Sequence, residues 1–317
     1  MPHNYDYSEP ERLLSKARLT SYRTSLITRN NSQLFGAYCW NLAVVSAFYP
    51  LVQLIEVALR NAMNNVAQAK YSGSSGQYWF DLIPFNQDIN DQGQSISSEQ
   101  VKNFKANMKS AKKSAMRSLE EKGIVSSIPT LDQVISQTDF STWEYLLDKH
   151  FYDGSNNHFL WPNGLSKVFK KLPRVGVRKN VAFHQRDIIR RRIEEVRVFR
   201  NRISHNEPAW RVNNVTAKED VISTLTERLN GMMELLFWIS PKFSQYVRDV
   251  GIEARIKQML HLVEMNRYMQ SFERHEINDI DNLIDLANRV NSENHRCYFN
   301  VSGKLGILVP CNTSLLQ

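Results

Sequence analysis

Cysteine is scarce in this 317-residue chain. Only Cys39, Cys297 and Cys311 occur, an odd number without any C-x-x-C spacing. This pattern excludes a disulfide framework and the usual zinc-thiolate sites. A reducing cytoplasm is therefore the compartment that we expect for the protein.

Long apolar runs are also lacking. The most apolar window, LAVVSAFYPLV at 42–52, has eleven residues, which is too few to span a bilayer, so we predict a buried helix and no membrane association. The first residues, MPHNYDYSEPERLL, are polar and acidic, whereas a signal peptide begins with basic residues and an apolar run. We therefore expect no export.

Several catalytic signatures are missing as well. The chain contains no G-x-x-x-x-G-K-[ST], no G-x-G-x-x-G, no H-E-x-x-H and no G-x-S-x-G. NTPase, dinucleotide-binding, zincin and serine-hydrolase functions therefore lack their anchoring residues. No metal site and no cofactor is predicted.

What the sequence does contain is helical periodicity over most of its length. Residues 31–70 carry an apolar stripe, and we interpret Pro50 as a break or first-turn position between two helices. Residues 101–121 place apolar side chains on one face and lysines on the neighbouring one, which is usually only a solvated face. Further helices are expected at 130–148, 164–171, 181–205 and 215–239. The predicted fold class is all-α.

The C-terminal residues depart from this pattern. Two short apolar segments, CYFNV and LGILV, flank Ser302-Gly303 and predict a small β-hairpin. We therefore divide the chain into a helical domain at 1–240 and an extension at 241–317, whose helices end in this hairpin.

The basic charge is concentrated in one segment. Residues 167–202 contain thirteen basic and three acidic residues, an excess larger than the +8 of the whole chain. Such a concentration favours a surface that follows a phosphate backbone, although a solvated helix face gives the same pattern. The residues that we predict to bind RNA are Lys170, Lys171, Arg174, Arg178, Lys179, Arg186, Arg190 and Arg191.

The segment leads into FRNRISHNEPAW at 199–210, at the end of the predicted helix. The core stripe of that helix consists of Ile189, Ile193, Val196, Phe199 and Ile203. Arg200 falls inside this stripe, while Asn201 and His205 lie one turn apart beside it. A histidine can move the proton of a ribose 2′-hydroxyl, and an arginine can stabilise charge on the phosphate. Taken alone, however, the pattern also suits the polar end of a structural helix.

These residues resemble a known signature. RNRISHNEP is similar to the R-N-x-x-x-H motif of HEPN ribonucleases, and LSKARLTSY, GAYCWNLAVVSAFYPLVQLIEVALRNAM and YWFD resemble the N-terminal pattern of the Abi-like family of bacterial abortive-infection proteins. The resemblance implies a HEPN-type helical bundle, metal-independent endoribonuclease activity, a homodimer and a role in phage defence. It assigns Arg200, Asn201 and His205 to catalysis.

The resemblance also covers E-x-x-x-R-N at Glu56, Arg60 and Asn61. Spacing alone predicts a plain i,i+4 ion pair between Glu56 and Arg60. Our hypothesis is that these three residues support the catalytic ones, with the Glu56–Arg60 pair positioning Arg200 or the substrate.

One departure from the family pattern concerns regulation. HEPN toxins that are silenced by a nucleotidyltransferase antitoxin carry a tyrosine two residues after the histidine, and here that position is Glu207. We therefore do not expect such an antitoxin as a partner, whereas a regulatory RNA fits the basic segment. Two alternatives to catalysis stay open: a non-catalytic RNA-binding module and a structural dimerisation protein.

Overall fold

A computed structural model describes residues 5–71, 77–124, 128–176, 179–211, 215–269 and 274–311. Helices contain 64% of the residues and strands about 7%, which confirms the all-α class with a small C-terminal sheet. The helices are α1 Ser8–Leu14, α2 Lys16–Leu26, α3 Asn31–Lys70, α4 Trp79–Leu82, α5 Glu99–Glu120, α6 Leu131–Ser136, α7 Phe140–Tyr145, α8 Leu165–Val168, α9 Val181–Ser204, α10 Lys218–Ile239, α11 Pro241–Asp249, α12 Ile252–Met259, α13 Leu262–Tyr268 and α14 Ile280–Glu293. The strands are β1 Asp88–Ile89, β2 Ser95–Ile96, β3 Arg274–Glu276, β4 Cys297–Val301 and β5 Lys304–Leu308, and a 3-10 helix covers Lys149–Phe151.

Packing groups the described residues into two compact units, and neither is continuous in sequence. The first unit takes its residues from 1–53, 198–233 and 243–317, and the second from 54–197 and 234–242. Helices α3 and α9 each contribute residues to both units. The boundary at residue 240 divides the chain along the sequence and stays a prediction.

The core of the first unit is built around Trp210. This fully buried ring meets Tyr22 edge-on, with 5.6 Å between centroids, and lies 6.0 Å from the ring of Trp40. Asn41 is 1% exposed, and its side-chain oxygen accepts a hydrogen bond from the Ala209 backbone at 2.9 Å, while its amide donates to the Tyr22 hydroxyl at 3.0 Å. A buried amide needs such partners. Asn41 therefore fastens the segment that follows α9 to the first half of α3.

Replacement of Asn41 by Ala is expected to lower the free energy of unfolding by about 2 kcal/mol, because the Ala209 N–H would stay buried without a partner. Urea titration measures this change. Tyr22→Phe is the matched control, since it removes only the hydroxyl that accepts from the same amide and should cost less. Equal effects of the two substitutions would contradict the assigned role.

Helix α3 corrects one prediction. It runs through Pro50 without a break, as one helix of 40 residues instead of two. A proline removes one backbone hydrogen bond from a helix. Here Pro50 and Ser46, whose carbonyl would have received that bond, both lie on an exposed face where water can bind the carbonyl. The buried stripe of α3 continues past this point, because Phe48 before the proline and Leu51 and Ile55 after it are all fully buried.

The length of α3 also bears on the membrane prediction. The helix contains an 18-residue window with mean hydropathy 1.9, so by length and composition it could cross a membrane, although the eleven-residue window had suggested otherwise. One such helix is weak evidence, because core helices of soluble proteins have the same composition. Association with a membrane or its absence stays a prediction.

The C-terminal part of the chain packs within the first unit. The indole nitrogen of Trp40 donates to the Met259 carbonyl at 2.9 Å. Gly36 lets α3 approach the end of α13, since a Cβ at this position would lie 2.1 Å from the Tyr268 carbonyl oxygen. The sequence could not show that residues after 240 cover the start of α3, because these contacts join residues more than 200 positions apart.

The predicted hairpin is confirmed. Strands β4 and β5 pair antiparallel, and Ser302 and Gly303 between them have φ values of 49° and 80°, as a tight hairpin turn requires. Strand β3 was not predicted. It pairs parallel with β4, and α14 connects the two strands in the sequence. Its three residues, RHE, are too few to show the alternation that predicts a strand.

The second unit contains the amphipathic helix α5 as predicted. Phe104, Met108, Ala111, Ala115 and Leu119 are all buried. Helices α6 and α7 fall within the predicted 130–148 segment and pack against α5. Ile189, Ile193 and Val196 of α9 are buried in the same unit, which confirms the first half of the predicted stripe, while Phe199 and Ile203 are buried in the first unit.

A histidine between two carboxylates ties two loops of the second unit together. His150 is 5% exposed, and its Nδ1 lies 2.5 Å from Asp148 and its Nε2 3.0 Å from Asp88. Burial lowers the pKa of His150, but the hydrogen bonds to Asp88 and Asp148 outweigh burial, so the pKa is raised overall. The imidazolium is thus the form that this contact stabilises.

We expect this contact to make stability depend on pH. Because the pKa of His150 is higher in the folded chain, its contribution is complete below the unfolded value of about 6.5 and is lost as pH rises through the folded value. The difference in unfolding free energy between the parent and His150→Gln should therefore shrink from pH 6 to pH 9. Denaturant titrations along this range measure it, and a constant difference would contradict the prediction.

Candidate active site

The end of helix α9 is shaped by its backbone. Asn206 has a positive φ of 55°, its N–H donates to the Ile203 carbonyl, and the Glu207 N–H donates to the Arg202 carbonyl, each at 3.1 Å. This pair of bonds is a Schellman motif, in which a left-handed residue ends the helix. The helix was predicted to end at 205, and the turn at Asn206 ends it close to that position.

The three predicted catalytic residues lie on the last turn and at its cap. Arg200 and Asn201 are half-buried, and a guanidinium nitrogen of Arg200 donates to the Asn201 side-chain oxygen over a long 3.4 Å. His205 follows one turn later, where its N–H donates to the Asn201 carbonyl at 3.0 Å. Its side chain is exposed. The structure therefore brings Arg200 and Asn201 into contact and leaves the His205 ring open to a substrate.

The electrostatic setting of Arg200 differs from that of its neighbours on α9. Within the described residues of its own unit, no carboxylate lies within 4.0 Å of its guanidinium. Arg202, two positions later, pairs with Glu207 at 3.1 Å and donates to the Trp210 carbonyl at 3.3 Å. Arg202 therefore braces the segment after the helix, whereas the charge of Arg200 is available inside its unit for an anion.

One residue at this site was missed by the sequence analysis. A guanidinium nitrogen of Arg18, on α2, donates to the carbonyls of His205, at 3.4 Å, and Asn206. A cation at the C-terminal end of a helix binds the free carbonyls and complements the helix dipole. Arg18 lies in the LSKARLTSY stretch, but nothing in its spacing indicated that it would reach residues 187 positions away.

Substitution of Arg18 by Gln is expected to loosen the cap that carries His205. The backbone amides of Asn206 and Glu207 should then exchange with solvent faster, while the amides of the buried turns of α9 keep their protection. Hydrogen exchange followed residue by residue measures this. Arg12→Gln is the matched control, because Arg12 is an exposed arginine of helix α1 whose ion pair, among the described residues, is with Glu9 of the same helix. Equal exchange at the cap in both variants would contradict the role of Arg18.

The three supporting residues lie on α3, in the second unit. Glu56 and Arg60 are half-buried and Asn61 is exposed. The Nε atom of Arg60 is buried without a hydrogen-bond partner among the described residues. Their predicted proximity to Arg200 stays a prediction.

The predicted RNA-binding residues fall into different environments. Lys170, Lys171, Arg174 and Lys179 are exposed, and Arg178 lies outside the described residues. Arg190 and Arg191 are engaged in ion pairs, the latter with Asp187 at 2.9 Å. Lys170, Lys171, Arg174 and Lys179 therefore keep the freedom to contact a phosphate backbone. Arg191 keeps it as well, because its side chain is 70% exposed and a surface ion pair is weak.

Arg186 corrects the sequence analysis. Its side chain is 3% exposed, donates to the Leu147 carbonyl at 2.5 Å and stacks 4.5 Å from the centre of the Phe183 ring. Burial lowers the pKa of this guanidinium. A side chain held in this way cannot contact RNA, so the prediction for Arg186 is wrong, and its role is structural.

The concentration of positive charge on α9 is largely compensated by carboxylates that the sequence window did not contain. Buried Glu144, on α7, lies 2.5 Å from Arg197 and 3.7 Å from Arg190. Glu234, on α10, lies 2.8 Å from Arg192. A cavity of about 390 Å³ beside the first half of α9 is accordingly lined by both signs of charge. This part of α9 is a poor match for a polyanion.

Comparison with known proteins adds no assignment. No protein-family model, no curated protein and no solved structure matches the chain. Among the described residues, no three or more His, Cys, Asp or Glu side chains cluster as metal ligands, and Cys39, Cys297 and Cys311 carry free thiols.

Proposed function

We propose that the chain is a metal-independent endoribonuclease of the HEPN type that cleaves RNA by attack of the ribose 2′-hydroxyl. Its biological role in this proposal is that of a toxin-like effector of bacterial abortive infection, in the cytoplasm. The observation that carries the proposal is the exposed His205 ring on the capped end of α9, one turn after the contacting pair Arg200 and Asn201.

In this mechanism His205 moves the protons. As a base it accepts the proton of the 2′-hydroxyl, and as an acid it donates one to the leaving 5′-oxygen. The attack forms a 2′,3′-cyclic phosphate and leaves a 5′-hydroxyl. Arg200 stabilises the charge that develops on the phosphate, and Asn201 orients either the guanidinium that it contacts or the phosphate.

The mechanism calls for two copies of the chain. On an ideal helix the directions of Arg200 and His205 differ by roughly 140°, so one helix does not easily aim both at the same phosphate. A symmetric homodimer that pairs the ends of two α9 helices would supply two arginines, two asparagines and two histidines to one cleft. This arrangement is part of the proposal.

The decisive experiment incubates the parent and a His205→Ala variant with total bacterial RNA in the presence of EDTA and maps the fragment ends. We expect the parent to leave 2′,3′-cyclic phosphate and 5′-hydroxyl ends. Loss of the acid–base group should slow cleavage about 10²- to 10⁴-fold, and Arg200→Ala should slow it about 10²- to 10³-fold. Single-stranded DNA, which lacks the 2′-hydroxyl, should stay intact.

His158→Ala is the matched control, because His158 is an exposed histidine remote in sequence from the motif. Cleavage that persists in His205→Ala at the parental rate would overturn the assignment. Binding of RNA without cleavage by either protein would favour the alternative of a non-catalytic RNA-binding module, which the exposed Lys170, Lys171, Arg174 and Lys179 support.

The same assay tests the supporting residues. If Glu56 and Arg60 position Arg200 or the substrate, Glu56→Gln should reduce cleavage while the unfolding transition stays unchanged. Full cleavage by a normally folded Glu56→Gln protein would remove this part of the proposal.

Regulation by a nucleotidyltransferase antitoxin does not belong to this proposal. Glu207 occupies the position where such an antitoxin would modify a tyrosine, and its carboxylate pairs with Arg202 at 3.1 Å. A regulatory RNA that occupies the exposed cations is the partner we propose instead.

A further inference from the structure

The second unit contains a groove that no part of the proposed mechanism uses. It lies between α3 and α8, has a volume of about 500 Å³ and is also lined by Ile239 and Ser240. Pockets for small organic ligands in proteins have volumes of about 300 to 1,000 Å³. The groove therefore has room for a ligand much larger than a water molecule or an inorganic ion.

One wall of the groove is apolar and open because its residues are small. Ala62, Val66 and Ala69 repeat at the spacing of one face of α3, and Val168 faces the groove from α8. Gly164 allows close packing on the opposite side, since a Cβ there would lie 2.8 Å from the Leu160 carbonyl oxygen. Such a slot suits a flat or apolar group.

Positive charge gathers at the same groove. Lys70, Lys167 and Lys170 all line it. In the described part of this unit no carboxylate lies within 4.0 Å of any of the three ammonium groups, and no acidic residue lines the groove. Lys70 and Lys170 instead donate to backbone carbonyls, those of Asn157 at 2.6 Å and of Lys167 at 2.7 Å. These lysines thus lack the carboxylate partners that most arginines of α9 have.

The surroundings of Lys70 disfavour its charged form. Burial and the nearby charge of Lys167 both lower the pKa of Lys70. A cluster of cations that the protein leaves uncompensated attracts an anion, and binding of an anion would relieve this repulsion.

We propose that this groove binds a nucleoside phosphate, with the phosphates on Lys70, Lys167 and Lys170 and the base or ribose against the apolar wall of α3. The amides of Asn65 and Asn163, which also line the groove, supply the donors and acceptors that recognise polar edges of the base. The site lies wholly in the second unit, whereas Arg200, Asn201 and His205 lie in the first. The inference thus does not depend on the ribonuclease proposal.

The test is titration calorimetry of the full chain with the four ribonucleoside 5′-diphosphates, pyrophosphate and the four nucleosides. We expect at least one nucleoside diphosphate to bind more tightly than pyrophosphate and than its own nucleoside. Lys167→Gln and Lys170→Gln should each weaken binding about tenfold, as expected for the loss of one charge-assisted hydrogen bond. Ala69→Leu, at an exposed groove position, should weaken it by filling the slot without changing charge.

Two controls separate these effects from general ones. Lys109→Gln and Lys113→Gln remove the same charges from the exposed face of α5 and should leave binding unchanged. His205→Ala should also bind the nucleotide as the parent does, so that failure of the ribonuclease proposal and failure of this one are distinguished. Melting temperatures of the variants confirm that each is folded.

Three outcomes would overturn the proposal. The first is that no nucleoside diphosphate binds, and the second is that binding is unaffected by Lys167→Gln and Ala69→Leu together. The third is that single-stranded RNA of several nucleotides displaces the diphosphate and loses affinity in the same variants, which would make the groove part of an RNA path.

Discussion

The burial of an arginine-rich helix is the constraint on which the rest of the structure depends. Five apolar residues of α9, from Ile189 to Ile203, are almost fully buried, so the arginines between them are drawn toward the interior. A guanidinium can leave water only if it gains partners of comparable strength. The second unit provides Glu144, Glu234 and the Leu147 carbonyl for this purpose. Charge that looks available in the sequence is therefore largely structural in the first half of the helix.

The second half of α9 meets the same constraint in another way. Arg202 forms an ion pair with Glu207 and donates hydrogen bonds to carbonyls of the segment that follows the helix. Asn41 and the buried ring of Trp210 hold that segment in the core. Arg18 occupies the carbonyls that the helix end leaves open. Among the described residues of its unit, the guanidinium of Arg200 has the Asn201 side-chain oxygen as its hydrogen-bond partner and no carboxylate within 4.0 Å. These contacts hold the end of α9 in place beside one guanidinium without a carboxylate partner in the described part of its unit and one exposed histidine.

Sequence periodicity predicted those helices in which a single apolar face determines which residues are buried. The stripes of α5 and α9 and the turn at Ser302-Gly303 are local patterns, and the structure has them where the pattern indicated. The two wrong or missing predictions depend on solvent exposure and strand pairing, which these local patterns do not record. Pro50 stays inside a helix because its solvent-facing turn can bind water, and β3 exists only through its pairing with β4.

The candidate site likewise has features that the local sequence determines and features that depend on distant segments. The positions of Arg200, Asn201 and His205 on one helix end were predictable, because spacing along a helix fixes them. Which basic side chains are paired or buried was not predictable, because this depends on a carboxylate or carbonyl from a distant segment. Arg186 is buried because Leu147 and Phe183 surround it, and Arg18 reaches the site because α2 packs in the first unit.

The same reasoning explains why the lysine groove was invisible in the sequence. Lys70 ends one helix, and Lys167 and Lys170 belong to a segment about a hundred residues later, so no window contains all three. A sequence window counts charges, whereas binding depends on which charges the fold leaves uncompensated. By that criterion the basic residues of α9 differ from the lysines before it. In the described part of its own unit, every arginine of α9 except Arg200 has a carboxylate within 4.0 Å, whereas Lys167 and Lys170 have none. Anion binding in the second unit is thus expected at the groove rather than along the arginine-rich helix that first suggested it.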